Sequence, residues 1–154
     1  MTDLSPFIDQ DKSEILNTNA KFSQLQNMKF NIQSEADAEV LFHITFKSSV
    51  SLSEICVYGT HDQNKPSQIQ VYNGYLSFDQ VKSVKPNVSL ACNYKLDCSK
   101  HAVPLNQLKS VGEITVYIPS NEQNTDETEF QGLGFFGKQV HSVDTRGQKL
   151  GCGG

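Results

Sequence analysis

Three side chains with metal-binding chemistry lie close together in the sequence, at Cys92, Cys98 and His101. Thiolate and imidazole groups are the usual ligands of zinc, which takes four of them in a structural site. The two cysteines are separated by five residues, a wider gap than in most zinc knuckles, and no clear fourth ligand follows. Two free thiols beside a loop or hairpin explain the pattern better, and we expect no metal site.

Two other groups of residues have types suited to chemistry. His61-Asp62 could form half of an acid–base pair, and Asp126-Glu-Thr-Glu129 has carboxylates that suit calcium. Neither has the partners or the regular spacing that a dedicated site needs. A glycine-rich phosphate loop, a nucleophile elbow and a Cys-x-x-Cys pair are also missing. We therefore expect no catalytic residues, no cofactor and no enzymatic activity.

Charge and hydropathy exclude two further classes of function. The formal net charge is −4, and only 19% of the 154 residues are charged. An acidic chain is a poor candidate for electrostatic capture of nucleic acid. No apolar run approaches the roughly 18–20 residues that span a bilayer, and the N-terminus has no secretory pattern. We expect a protein of the cytoplasm, and possibly also of the nucleus, that binds neither nucleic acid nor membranes.

The elements that must position these residues are short strands. Val40, Phe42, Ile44 and Phe46 alternate at spacing two, which predicts a strand with His43 on its other side. The same period predicts strands over residues 55–58, 68–73, 88–94, 103–108, 114–118 and 130–136. No long amphipathic helix interrupts them. This pattern predicts an all-β fold, an antiparallel jelly-roll β-sandwich.

The chain shows no internal repeat and no linker. We predict one domain over residues 1–150, followed by a mobile glycine-rich tail at 151–154. Ser77 and Gln80 fit a capping box at the start of one helical turn. Cys56 lies in an apolar run and is expected to be a small core residue.

Several segments, in order, resemble the PITH domain family, whose module follows thioredoxin in thioredoxin-like protein 1 and also occurs alone. The similarity covers nearly the whole chain and depends on the order and spacing of the segments. They are Asp3-Leu-Ser-Pro-Phe-Ile8 with Leu16-Asn17, Ser34-Glu-Ala-Asp-Ala-Glu-Val-Leu41, Pro66-Ser-Gln-Ile-Gln-Val-Tyr-Asn73, Ile114-Thr-Val-Tyr-Ile-Pro-Ser-Asn121, and Thr128-Glu-Phe-Gln-Gly-Leu-Gly-Phe-Phe-Gly137. A stand-alone member and one half of a thioredoxin fusion both fit the sequence.

The resemblance implies a fold and a function. Members of this family resemble galactose-binding-type jelly-roll sandwiches, and their attributed role is association with the regulatory particle of the 26S proteasome. We therefore expect a monomeric, non-enzymatic interaction module. A sandwich that binds a small ligand or a carbohydrate is the alternative, with Tyr72 and Tyr75 as the loop aromatics available to stack on a sugar.

Residues for partner binding are chosen from predicted exposure in loops and in the tail, because partners contact exposed loops on a rigid scaffold. Plain solvated surface is the alternative for each of them, and it explains each of them better. The candidates are His61, Asp62, Asn121, Asp126, Arg146, Lys149 and Leu150.

Overall fold

One strand of nineteen residues, β4 (Val40–Tyr58), organises the fold of this computed structural model, which describes residues 2–22, 31–59, 64–104 and 106–140. The strand bends between Thr45 and Val50, where its pairing register shifts. Its two halves therefore belong to different layers. The sequence predicted two separate strands here, because the polar residues at the bend interrupt the apolar alternation.

The remaining elements are short. They are β1 (Thr2–Asp3), β2 (Glu14–Leu16), β3 (Ile32–Gln33), β5 (Gln68–Asn73), α1 (Phe78–Val81), β6 (Val88–Ala91), β7 (Cys98–Ala102), β8 (Val111–Ile118), β9 (Glu129–Phe130) and β10 (Gly132–Gln139). Two single 3-10 turns, Ser5–Phe7 and Gln10–Lys12, lie between β1 and β2. No helix among the described residues has the length and apolar character to cross a membrane.

Two antiparallel layers share β4. In the first layer, the N-terminal half of β4 pairs with β2 on one side and β8 on the other, and β8 continues to β5 and β6. In the second layer, the C-terminal half of β4 pairs with β10 and β7, and β1 pairs with the outer edge of β10. The predicted antiparallel β-sandwich is confirmed.

The core lies between the layers. It is built from the alternating apolar side chains of the facing strands, because successive residues of a strand point to opposite sides. Fully buried members include Val40, Phe42, Ile44, Ile55, Val57, Ile69, Val71, Val116, Leu133 and Phe135.

A second, smaller cluster covers the outer face of the first layer. Leu41, Tyr72 and Tyr117 pack there beneath Val81 of α1, so β4 is buried on both faces. The predicted capping box holds α1 in place. The Ser77 hydroxyl accepts from the Gln80 backbone N–H at 3.3 Å, and the Gln80 side chain accepts from the Ser77 backbone N–H at 2.9 Å.

One predicted strand is wrong. The described residues of the predicted span 103–108 belong to no strand, and the strand lies earlier in the chain, at β7. The sequence pattern missed β7 because Ser99 and His101, both polar, fall on its inward side opposite Val57 and Ile55. The strand beginning at Val88 is also shorter than predicted and ends at Ala91.

Candidate functional site

Two of the predicted partner-binding residues lie in the described part of the chain, in the loop that joins β8 to β9. Asn121 opens this loop and Asp126 lies near its far side. The other five, at positions 61, 62, 146, 149 and 150, lie outside the described residues, as does the predicted tail at 151–154.

Asn121 organises its loop from the inside. Its side-chain amide donates to the carbonyl oxygens of Thr125 and Glu127, at 3.0 and 3.2 Å. Its Oδ1 accepts the backbone N–H groups of Gln123 and Thr125, both at 3.1 Å. The residue is only 1% exposed, so its expected exposure is wrong. Asp126 is exposed, as expected.

The loop presents an acidic surface. Glu122, Asp126 and Glu127 are exposed around the ring of hydrogen bonds made by Asn121. Thr128 anchors the end of the loop to the residues before β4, because its hydroxyl donates to the Ala38 carbonyl at 2.7 Å. Within the described ranges, no three His, Cys, Asp or Glu side chains are grouped in a way that could hold a metal ion.

Three segments meet at this end of the sandwich. The backbone N–H of Ser67 donates to the Ser120 carbonyl at 3.1 Å, and that of Cys92 donates to the Ser67 carbonyl at 2.9 Å. Glu122 is tied to Lys65 in the same way at 2.8 Å. Residues 64–67, 91–98 and 119–129 therefore form one continuous surface, which we call the end surface.

Tyr94 is the centre of this junction. Its hydroxyl donates to the Pro66 carbonyl at 2.8 Å, and the Lys65 ammonium lies 4.9 Å from the centre of its ring. Burial raises the pKa of the Tyr94 hydroxyl far above its ordinary value, so it stays a neutral donor. Burial also raises the pKa of Cys92 beside it, to about 11. Both groups have structural roles at neutral pH.

Beyond Tyr94 the chain turns in a hairpin. Lys95 and Cys98 exchange two backbone hydrogen bonds, at 2.9 and 3.2 Å, and only Leu96 and Asp97 lie between them. This is the hairpin that the sequence allowed for around Cys92 and Cys98. The Asp97 carbonyl accepts the Gly59 N–H at 2.8 Å, which ties the turn to the end of β4.

Leu96 at the tip of the hairpin is 98% exposed. A cavity of about 630 Å³ opens beside it, with Lys95, Lys100 and His101 in its lining. No sequence pattern points to this tip, because a single leucine in a polar stretch carries no periodic signal.

Ser99 and His101 form a hydrogen-bonded pair on β7. Their Oγ and Nε2 atoms are 2.7 Å apart, and the Asn93 backbone N–H donates to the same hydroxyl at 2.8 Å. A Ser–His pair can activate a nucleophile when substrate reaches the hydroxyl. Ser99 is fully buried, so the pair instead fastens the two arms of the hairpin together. Burial lowers the pKa of His101.

The cysteines face different surroundings. Cys92 packs against the core, whereas Cys56 and Cys98 lie on the outward side of the second layer. Cys56 is 1% exposed, as expected of a small buried residue, and its thiol contacts the Glu54 carboxylate at 3.3 Å. Burial, followed by this carboxylate, raises the pKa of Cys56 to about 12.

A second polar centre lies on the outer face of the first layer. His43 is buried, with Nδ1 2.8 Å from the Glu14 carboxylate and Nε2 2.6 Å from the Leu76 carbonyl. Both ring nitrogens therefore have an oxygen partner within hydrogen-bond distance. The Tyr75 ring stacks on it at 3.8 Å between centroids. His43 lies on the side of the strand opposite Phe42 and Ile44, as predicted, and it is buried there.

The sequence of the chain is similar to a known protein family. A family model described as PITH domain matches residues 1–149. A PITH domain-containing protein of Drosophila pseudoobscura pseudoobscura is 28% identical over 120 residues, covering 76% of this chain and 56% of that protein. PITH domain-containing protein 1 of Homo sapiens is 28% identical over 93 residues, covering 58% and 44%. The chain thus spans about half the length of these relatives.

Solved structures share the fold at low sequence identity. The family 32 CBM from Clostridium perfringens NanJ, in complex with galactose, superposes with a TM-score of 0.60 at 8% identity, over 87% of this chain and 97% of that one. A fucose binding module of Streptococcus pneumoniae gives 0.56 at 7% identity, over 92% and 100%. At such identities the likeness is one of fold alone.

Proposed function

The chain belongs to the PITH domain family, and from that premise we propose that it is a non-enzymatic interaction module that docks on the regulatory particle of the 26S proteasome. Family membership supports the choice of partner. The end surface supports the choice of activity, since its three segments are held by backbone hydrogen bonds and carry exposed charged loops. A surface that is ordered before binding loses little conformational entropy on association.

The acidic loop is one proposed contact. The hydrogen bonds of Asn121 fix the loop, so that Asp126 and its neighbours are displayed in one conformation. The tail residues Arg146, Lys149 and Leu150 are a second proposed contact. We place this interaction in the cytoplasm, with the nucleus as a further location. The chain acts there as a monomer.

Binding of the purified chain to purified 26S proteasome, followed by biolayer interferometry, tests this function. We expect saturable binding that weakens in Asp126→Lys and in the combined tail variant R146E/K149E/L150S. Lys47→Glu is the matched control, because Lys47 is exposed at the bend of β4, at the opposite end of the sandwich. Binding no stronger than that of an unrelated β-sandwich would refute the proposal.

A carbohydrate is the second candidate ligand, and Tyr75 is the observation that favours it. Its ring is 58% exposed, and its hydroxyl lies 3.4 Å from the Glu14 carboxylate. Sugars stack on such rings and bond to nearby carboxylates. Tyr72, the other aromatic residue predicted for this role, is 1% exposed and unavailable. A glycan array with the chain and with Tyr75→Ala tests the candidate, and an array without hits excludes it.

A further inference from the structure

Leu96 adopts a backbone conformation that favours glycine or asparagine. Its φ is +57°, in the left-handed region, where the Cβ of a leucine crowds the backbone. The other non-glycine residues with positive φ in the described ranges have a reason to be there. Asn17 and Asn124 are asparagines, which tolerate the region, and Leu108 is 6% exposed and held by core packing. At Leu96 the two-residue hairpin turn requires the positive φ, but leucine is an unfavourable residue type for that position.

The same residue has no packing role to offset this strain. At 98% exposure, almost none of its apolar surface is removed from water in the free chain. Residues with strained backbone conformations concentrate at functional sites such as binding sites. A single exposed leucine is ordinary on a protein surface, so the argument depends on the combination of exposure, strain and rigid support.

The hairpin holds Leu96 rigidly. The turn is closed by two backbone hydrogen bonds between Lys95 and Cys98 and is anchored to Gly59 through the Asp97 carbonyl. The Ser99–His101 pair and the Asn93 N–H lock the arms behind it. The backbone that carries Leu96 is therefore ordered before any partner arrives.

The cavity beside Leu96 is basic. Its lining includes the charged side chains of Lys95 and Lys100 and contains no carboxylate. In the part of the chain that the structure describes, neither lysine forms an ion pair. The segment 91–101 carries two lysines against one aspartate, whereas the whole chain has a net charge of −4. Local charge of this sign selects an acidic partner.

We propose that residues 91–101 bind an acidic segment of a partner protein, with a partner carboxylate between Lys95 and Lys100 and a partner apolar side chain against Leu96. The inference rests on the proposed interaction function and names the surface and the chemistry it selects. The acidic loop at Asp126 lies on the same end surface, but it would contact a part of the partner with the opposite charge.

An NMR titration of the labelled chain with a six-residue capped peptide, in which glutamates flank two leucines, tests the surface directly. We expect saturable amide shifts confined to residues 91–101, and loss of these shifts in K95E/K100E. Two matched peptides, with lysine for every glutamate or glycine for every leucine, should bind at least about fivefold more weakly. Lys47→Glu serves as the charge control and should bind as the wild type does.

Three outcomes of this titration would overturn the inference. The first is the absence of saturable shifts up to about 5 mM peptide, a concentration at which even very weak binding would be seen. The second is shifts of equal size with the lysine peptide. The third is binding to K95E/K100E that is as strong as binding to the wild type. Each of these is read on the folded chain, whose spectrum reports its own integrity.

Leu96→Gly separates binding from folding. Glycine relieves the backbone strain, so we expect the melting temperature to rise by about 2–4 °C, while peptide affinity falls at least about fivefold. Leu96→Met keeps an apolar side chain and should retain binding. A purely structural leucine would give the opposite result, a lower melting temperature with unchanged binding.

The same variants measured against purified 26S proteasome separate this inference from the proposed function. If the wild type binds the peptide at residues 91–101 but not the proteasome, the surface is supported and the proposed partner is wrong. If the proteasome binds the wild type, L96G and K95E/K100E equally well, the partner is supported and the surface is wrong.

Discussion

Cys56 and Cys92 show how burial controls the reactivity of single residues. Only the thiolate reacts with alkylating agents, and burial raises the pKa of these thiols to about 12 and about 11. At pH near 8, we expect both to react with iodoacetamide about 100-fold or more slowly in the folded chain than in urea. Peptide mass spectrometry after timed quenching measures the rates.

The urea-unfolded chain is the internal control for that measurement, since all its cysteines are exposed. Equal rates for Cys56 in the folded and unfolded chain would show that its thiol is accessible, and would contradict the packing of β4 against β7 and β10.

His101 makes stability depend on pH. Burial lowers its pKa below the ordinary value of 6.5, so the unfolded chain binds a proton that the folded chain resists. The stability that neutral His101 contributes is present above pH 6.5 and is lost as the pH falls towards its folded-state pKa. We expect acidification from about pH 7.5 to about pH 5.5 to destabilise the wild type more than His101→Gln.

Urea denaturation of both chains at the two pH values measures this difference. Other titrating groups are common to the two chains and cancel when their stabilities are subtracted. A His101→Gln chain with the same pH dependence as the wild type would show that His101 takes up its proton equally well in the folded state.

Among the elements, β10 approaches β4 so closely that one glycine is required. A Cβ on Gly137 would lie 1.9 Å from the Ser51 carbonyl oxygen, at the point where the register of the two strands shifts. We expect Gly137→Ala to lower the free energy of unfolding by about 2–4 kcal/mol, because the strands must separate to admit the methyl group. Chemical denaturation measures the loss.

Gly112→Ala in β8 is the matched control. Nothing lies within 4 Å of a Cβ at that position, so the change should alter stability by less than about 0.5 kcal/mol, or raise it slightly. Equal losses in the two variants would mean that glycine acts at both sites through backbone freedom rather than through close approach.

At the level of elements, sequence reasoning succeeded where one face of a strand is apolar. It located the strands around Phe42, Val71 and Val116 because alternation there is uninterrupted. It failed at β7, whose inward side chains at Ser99 and His101 satisfy each other by a hydrogen bond that no pattern announces. A hydrogen bond between two buried polar side chains depends on the folded geometry and leaves no periodic pattern in the sequence.

The candidate site was predictable only in part. The loop around Asp126 was expected to be exposed because it is polar and acidic, and it is. The burial of Asn121 was not foreseen, since polar composition does not distinguish a solvated amide from one that bonds to its own loop. The positive φ of Leu96 was not predictable from the sequence, because leucine rarely adopts that backbone conformation.

For the whole molecule, the shared strand predicts a single cooperative unit. Because β4 is the central partner in both layers, neither layer can open fully without disturbing it. We expect the most protected amides of β8 and of β10 to exchange hydrogen with the same free energy, equal to that of global unfolding. Hydrogen exchange followed by NMR measures both.

A lower exchange free energy throughout one of these strands would contradict this expectation. It would mean that the layer containing that strand opens on its own while the other persists. Amides of β1 give a useful reference, since this two-residue strand lies at the edge of the second layer and its residues are exposed.

The pairing of β1 with β10 also determines how the sandwich resists mechanical force. Thr2 lies opposite Gly137 and the two strands are antiparallel, so the first and last strands lie side by side at one edge of the second layer. A pull applied between residues 2 and 139 loads the hydrogen bonds of this pair one after another instead of all together. The sandwich is therefore peeled open from this edge at low force, although heat or denaturant must disrupt the shared strand at its centre.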